Sequence, residues 1–327
     1  MELIANNNTQ NMVLNHSEVI DNTSNNFIEA NTEKVSLLHL KEKCTIPVFA
    51  KDNETTISHF QFINETLEMI KAQFPNTNPK SPDIRVSHVV KGRVPTAIGK
   101  PAKELLENEK TIYYERCAFV IEIPEFKQVI NGNELSLCVG GVRAYNQENL
   151  YSKKSLEKFK MFVGFQNKVC TNLCVSSDGF TNEIRIGSIL DLNQSIQNLL
   201  SNYDKDSHLS KMENMSNYSL TENQFANLVG KTRMFQHLDK AEQQGKFLTN
   251  LNDSQINNVV KDYYSCSNFR RSEVGSISMW SLYNLFTEAN KSSYIDSNFE
   301  RNVNCYAFVN HLLESIKNDT MSWYLHN

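Results

Sequence analysis

Residues 117–139 read CAFVIEIPEFKQVINGNELSLCV. Cys117, Phe119, Ile121 and Ile123 alternate with Ala118, Val120 and Glu122, which is the two-residue period of a β-strand. Asn131-Gly132 then precedes ELSLCV. Asn-Gly tolerates the positive backbone angles of a type I′ turn, so 117–130 and 134–140 are expected to pair as a hairpin. Strand character extends from about residue 84 to 190, and the sheet it implies is mostly antiparallel.

On the N-terminal side of this region, TISHFQFINETLEMIKAQF predicts a helix. Ile57, Phe60, Ile63, Leu67, Ile70 and Phe74 form its apolar stripe, and Pro75 ends it. After about residue 195 the pattern turns helical. In LTENQF, Thr221 is placed as N-cap with Gln224 three residues on, and Leu220 and Phe225 are spaced for a hydrophobic staple. LNDSQI repeats the device with Asn252, Gln255, Leu251 and Ile256. Further helices are expected at 277–290 and 298–317. The polar run SNYDKDSHLSKMENMSNY, residues 201–218, reads as a linker. The fold class is therefore α+β: a mostly antiparallel sheet in the first half and a helical C-terminal part. A disordered Asn-rich tail over 1–33 precedes a mostly β domain over 34–200, and a helical part over 201–327 packs on that domain.

A chain of 327 residues buries a sizeable core. No run of apolar residues is long enough for a membrane-spanning helix. MELIANNNTQ has neither the basic start nor the apolar stretch of a secretory signal. Seven cysteines, several inside apolar runs, look like reduced buried thiols of a cytoplasmic protein. The net charge is −4, all of it carried by residues 1–34, so the remaining chain is neutral. Nucleic-acid binding would therefore need a local basic patch.

KVCTNLCVSSDGF contains Cys170 and Cys174. Read as extended chain over 169–176, with a hairpin turning at Asp178-Gly179, it places the two thiols about 13 Å apart at about 3.3 Å per residue. That is too far for a disulfide or a shared zinc. A helical reading would bring them close and reopen the metal. Asn172 is either hydrogen-bonded internally or presents its amide to a ligand. A thiolate nucleophile would need a base or cation beside it, and no histidine is near in sequence.

The densest basic stretch is PKSPDIRVSHVVKGRVPTAIGKPAK, residues 79–103. Arg85, Lys91, Arg93, Lys100 and Lys103 could hold phosphates on a strand and extended loop, or could be a solvated surface. Gly99-Lys100 is not a P-loop, since Val94 and Pro101 stand where glycine and Ser/Thr are required. Gly140-Gly141 completes no dinucleotide fingerprint, and no cofactor or metal is predicted. Tyr113, Tyr114 and Tyr145 are candidate base-stacking platforms or core residues. In ISMWSLYNLFTEANK, Met279, Trp280, Tyr283 and Phe286 form a core face. Asn284, Thr287, Glu288 and Lys291 recur on a polar stripe that is either solvated or lines a ligand groove.

Three stretches carry a resemblance: IRVSHVVKGRVP with TIYYERCAF, KVCTNLCVSSDG, and VKDYYSCSNFRR with WSLYNLFTEANKSSYIDSNFERNVN. Together, over roughly 34–317, they resemble an uncharacterised family of Bacteroidetes proteins carried on plasmids, conjugative elements and prophage-like islands. That family is distantly similar to the phage/plasmid-like protein domain. In that domain a Val-Cys-Ser/Thr-Asn strand and a Trp…Asn-x-x-Thr-Glu helix recur, matched here by Val169 to Asn172 and by Trp280, Asn284, Thr287 and Glu288. Ala289-Asn290-Lys291 departs from the aromatic and acid that usually follow. The resemblance implies a mobile-element setting in a bacterial cytoplasm, and it carries over no catalytic residue. The leading expectation is a non-enzymatic, DNA-associated accessory protein. The rivals are a protein-interaction module, taking a host or element-encoded partner, and an enzyme whose site assembles only in space.

Overall fold

The computed structural model describes residues 26–44, 57–97, 99–148 and 156–325. In chain order its elements begin with β1 (Glu33–Val35), α1 (Leu37–Lys43), α2 (His59–Gln73), β2 (Asp83–Val86), β3 (Val89–Arg93) and β4 (Lys110–Tyr114). They continue with β5 (Arg116–Ile130), β6 (Asn133–Ala144), β7 (Glu157–Asn167), β8 (Leu173–Cys174) and β9 (Phe180–Ile186). The C-terminal part holds α3 (Ile189–Asn202), α4 (Lys205–Met215), β10 (Ser219–Leu220), α5 (Glu222–Phe235), α6 (Lys240–Gln243), α7 (Asp253–Ser265), β11 (Ile277–Ser278), α8 (Met279–Asn290) and α9 (Ile295–Lys317).

Asn131 and Gly132 take positive φ, +48° and +79°, as a type I′ turn requires. They close β5 on β6 from Arg116 opposite Ala144 to Ile130 opposite Asn133. The register shifts between Ile123 and Lys127, where Pro124 cannot donate to the ladder. Among the described residues, seven strands make one sheet, with β1, β2, β5, β6 and β7 in spatial order and both β8 and β9 on the free edge of β7. Every pairing in it is antiparallel. β3 and β4 form a separate two-stranded ribbon.

Both faces of the sheet are covered. Phe119, Ile121, Leu137, Val139 and Phe159 belong to the larger apolar cluster, with Phe62, Ile63 and Ile70 of α2 and Leu192 and Ile196 of α3. The same cluster extends through Trp280 and Tyr283 of α8 to Phe308 and Leu312 of α9. On the other face, Ala118, Val120, Val142 and Phe162 meet Phe27, Ile28, Ile295 and Phe299. Gly140 and Gly141 serve both sides. A Cβ at Gly140 would stand 2.3 Å from the Phe119 carbonyl and 2.5 Å from the Phe162 ring, and one at Gly141 would stand 2.5 Å from the Phe62 ring. Two adjacent glycines thus let one aromatic ring settle on each face. Gly140→Ala is expected to cost about 1–3 kcal/mol or more, because a backbone oxygen as well as a ring must shift. A urea midpoint unchanged from the parent would refute this.

The local signals hold. Ser58 with Gln61, Thr221 with Gln224 and Asn252 with Gln255 form reciprocal capping boxes. The buried face of α2 is centred on Phe62, Ile63, Thr66 and Ile70, while Phe60 and Leu67 are only half-buried. Of the tail read over 1–33, residues 1–25 lie outside the described residues. Phe27 and Ile28, by contrast, are buried, and Glu33 pairs with Val86.

Two expectations are corrected. The run 201–218 is not a linker: Asp204 caps α4, which turns His208, Met212 and Met215 into the core. Nor does the chain reverse at Asp178-Gly179. The reversal lies at 168–172, where Asn167 Oδ1 accepts from the Val169 N–H at 3.0 Å and Thr171 takes φ +58°. β8 and β9 then return along the same edge of β7. Gly179 is there because a Cβ would stand 2.2 Å from the Val163 carbonyl. Only Leu173 and Cys174 of the extended reading over 169–176 are strand.

Candidate anion-binding groove and buried polar network

A ribbon strand sends alternate residues to one face. Lys91 and Arg93 of β3 therefore share a face, and their cross-strand partners Ile112 and Lys110 share it with them. That face lines a groove of about 800 Å³ whose other wall is α1, with His39 and Lys43. Ala102, Leu105 and Glu107 come from the connection between β3 and β4. Beside the lining, His39 Nε2 lies 3.0 Å from the Tyr114 hydroxyl, and the Cys44 backbone forms a parallel bridge with Ile112. Glu107 is the one carboxylate of the lining, against three lysines and an arginine.

Not all of these cations are equally available. Lys110 is paired with Glu107, and Lys100 with Glu109. The Lys100 pair holds the Glu109 carboxyl below its usual range. Arg93 Nη1 donates to the Lys100 carbonyl. Lys43 and Lys91 are exposed with no carboxylate partner among the described residues, and Lys103 is exposed beside the lining. Arg85 does not join them. It is buried on the β2 strand, and its guanidinium is spent on Thr32, with Nε 3.0 Å and Nη2 2.9 Å from Oγ1. Tyr114 and Tyr145 are buried and Tyr113 half-buried, so none stands free as a stacking platform.

The second set of residues singled out in the sequence does come together, but inside the protein. Asn284, Thr287 and Lys291 are buried, as is Asn172. Asn172 Nδ2 donates to the Asn284 carbonyl at 2.9 Å, and Asn167 Nδ2 donates to Asn284 Oδ1 at 3.0 Å. Cys170 Sγ lies 4.0 Å from that same oxygen. Lys291 Nζ donates to the Cys170 carbonyl and pairs with Glu288 at 2.9 Å. Burial raises the Glu288 pKa against the opposing pull of Lys291. The Thr287 hydroxyl donates back to the Tyr283 and Asn284 carbonyls. The backbone N–H groups of Glu29 and Ala30 close over the Lys291 carbonyl. The polar stripe of α8 thus docks the 167–172 turn onto the helix. A turn carries backbone groups that a strand would pair, and these side chains supply partners for them.

With the turn in place of a strand, the spacing argument about the two thiols no longer applies. Burial pushes Cys170 up to about 12 and raises Cys174 as well, so both are thiols near neutrality. No group of three or more His, Cys, Asp or Glu side chains among the described residues is arranged to hold a metal ion.

A buried ionic cluster escaped the sequence reading. Arg143, fully buried, donates from Nε to Glu148 Oε1 at 3.1 Å and from Nη2 to Glu157 Oε2 at 2.6 Å. Its guanidinium lies 4.6 Å from the ring centres of both Tyr145 and Phe159. His59 stands 4.7 Å from Tyr145 and bonds the Tyr114 carbonyl at 2.8 Å. The one available signal was an arginine inside a strand at a core-facing position, opposite Cys117.

No helix among the described residues is long and apolar enough to cross a membrane. Neither the curated proteins nor the solved structures contain a match to the chain. A family model does match, over residues 7–325, which extends the likeness seen in the sequence into the N-terminal segment. The chain belongs to the family described as "Domain of unknown function, B. Theta Gene description (DUF3871)".

Proposed function

We propose that the protein is a non-enzymatic accessory factor that associates with nucleic acid through the groove between α1 and the β3–β4 ribbon. One observation carries the reading: Lys43, Lys91, Arg93 and Lys110, from separate stretches of a chain whose net charge is −4, converge on one concavity holding a single carboxylate. Phosphates are the ligands such a site suits, because each bound phosphate releases condensed counterions and needs no rigid geometry. The mobile-element setting implied by the resemblance is part of the proposal. Arg85, tied to Thr32, is left out of the contact set.

Binding is expected to fall steeply with salt. Lys91→Ala with Arg93→Ala removes two phosphate contacts and makes the slope of log K against log salt shallower by about 1.4 to 1.8, depending on strandedness. Fluorescence anisotropy with labelled oligonucleotides across a salt series measures it. Binding that ignores salt, or a double variant with the parent's slope, would end the proposal.

A further inference from the structure

The shape of the groove also selects its occupant, an inference that rests on the nucleic-acid reading. We infer that the groove takes the backbone of a single strand and is blind to base identity. A space of about 800 Å³ is about 9 Å across if equally wide in all directions. A duplex, whose major groove alone is about 12 Å wide, does not enter it. The ribbon's cations are also not presented by the ribbon by itself, because Lys91, Arg93 and Lys110 line a groove shared with His39 and Lys43 of α1. Two-stranded ribbons that read duplex DNA present the reading face outward.

A single strand fits the same geometry. Lys91 and Arg93, two apart on one strand, stand about 6.6 Å from each other. That step is comparable with the separation of successive phosphates along an unstacked polynucleotide. Lys43, from α1, lines the same groove, so one backbone threading it meets cations from two separate elements. The lining offers no aromatic ring except His39, which is engaged with Tyr114. Base stacking is the usual source of affinity and mild preference in single-strand sites. Without it, recognition is confined to phosphates.

The test uses the full chain, with labelled oligothymidylate, oligocytidylate and a blunt duplex of equal length, at low salt. Both single strands are expected to bind within about threefold of each other and at least about tenfold tighter than the duplex. Lys43→Ala is the informative variant. It lies on α1, away from the ribbon, and is expected to weaken single-strand binding about as much as Lys91→Ala does, while leaving the melting temperature unchanged. Equal or tighter duplex binding, or indifference to Lys43→Ala, overturns the single-strand inference and leaves the nucleic-acid reading standing. Failure of all three probes to bind removes both. A preference between the two single strands above about tenfold overturns base-blindness. Displacement of the oligonucleotide by polyglutamate of equal charge and concentration identifies an acidic polypeptide as the occupant and overturns the inference.

Discussion

Arg143→Met is expected to lower the free energy of unfolding by about 3–5 kcal/mol at neutral pH. The arginine is fully buried, and its partners Glu148 and Glu157 keep only 5% and 7% of their side-chain surface exposed. Methionine fills much of the volume but takes the guanidinium away from two buried carboxylates that both bond it. Arg143→Lys is not expected to rescue the loss. An ammonium cannot serve both carboxylates with a planar fork while lying flat between Tyr145 and Phe159. Urea unfolding of both variants measures these losses. Total stability is about 5–15 kcal/mol for a typical domain, so the loss is a large share of it. A triple variant that also carries Glu148→Gln and Glu157→Gln should recover part of the loss. A single variant within about 1 kcal/mol of the parent would refute the role given to the cluster.

Acidification is the second large effect. His59 is pushed down to about 3 by burial first and by the nearby Arg143 second, against the Tyr114 carbonyl that it bonds. His208 is also pushed down to about 3 by burial, with Asp178 opposing and Lys211 adding. Its Nδ1 lies 2.6 Å from the Tyr203 hydroxyl. Both rings are neutral in the folded protein at every pH above about 3, whereas in the unfolded chain they protonate near 6.5. Below that value the unfolded state binds more protons, so stability falls as pH falls. Each histidine contributes about 1.4 kcal/mol per pH unit, so the pair costs about 3 kcal/mol between pH 5.5 and 4.5. Replacing either ring by glutamine should remove about half of this histidine contribution to the slope in that window, whatever it does to stability at pH 7. A pH profile of the urea midpoint that stays flat from 6 to 4.5 would contradict the burial of these rings as neutral groups.

The residues that were legible and those that were not differ in the reach of their interactions. Asn131-Gly132 and the capping boxes at Thr221 and Asn252 act through bonds that span a few residues, so their chemistry is visible in a short window. The core face of α8 was legible too, because Met279, Trp280, Tyr283 and Phe286 are large and regularly spaced. The helix α4 was hidden because its inward residues are one histidine and two methionines in a polar run. Asp178-Gly179 suggested a turn, yet the glycine answers to Val163, well away in sequence. Half of the groove was legible as the basic run at 85–103. Lys43 and His39, its other wall, come from α1, where nothing marked them.

The amino-acid sequence by itself determined the α+β class, the β5–β6 hairpin, the helix starts at Thr221 and Asn252 and the apolar face of α8, because each follows from the conformational preferences of neighbouring residues. Tertiary structure alone decided that Asn172 and Asn284, 112 positions apart, would bond each other, that Arg143 would sit between Glu148 and Glu157, and that Lys91 and Lys43 would line one groove. Those pairings have no local preference behind them. They exist because closing the sheet and packing both its faces brings distant polar groups out of water together, where each must find a partner or remain at the surface.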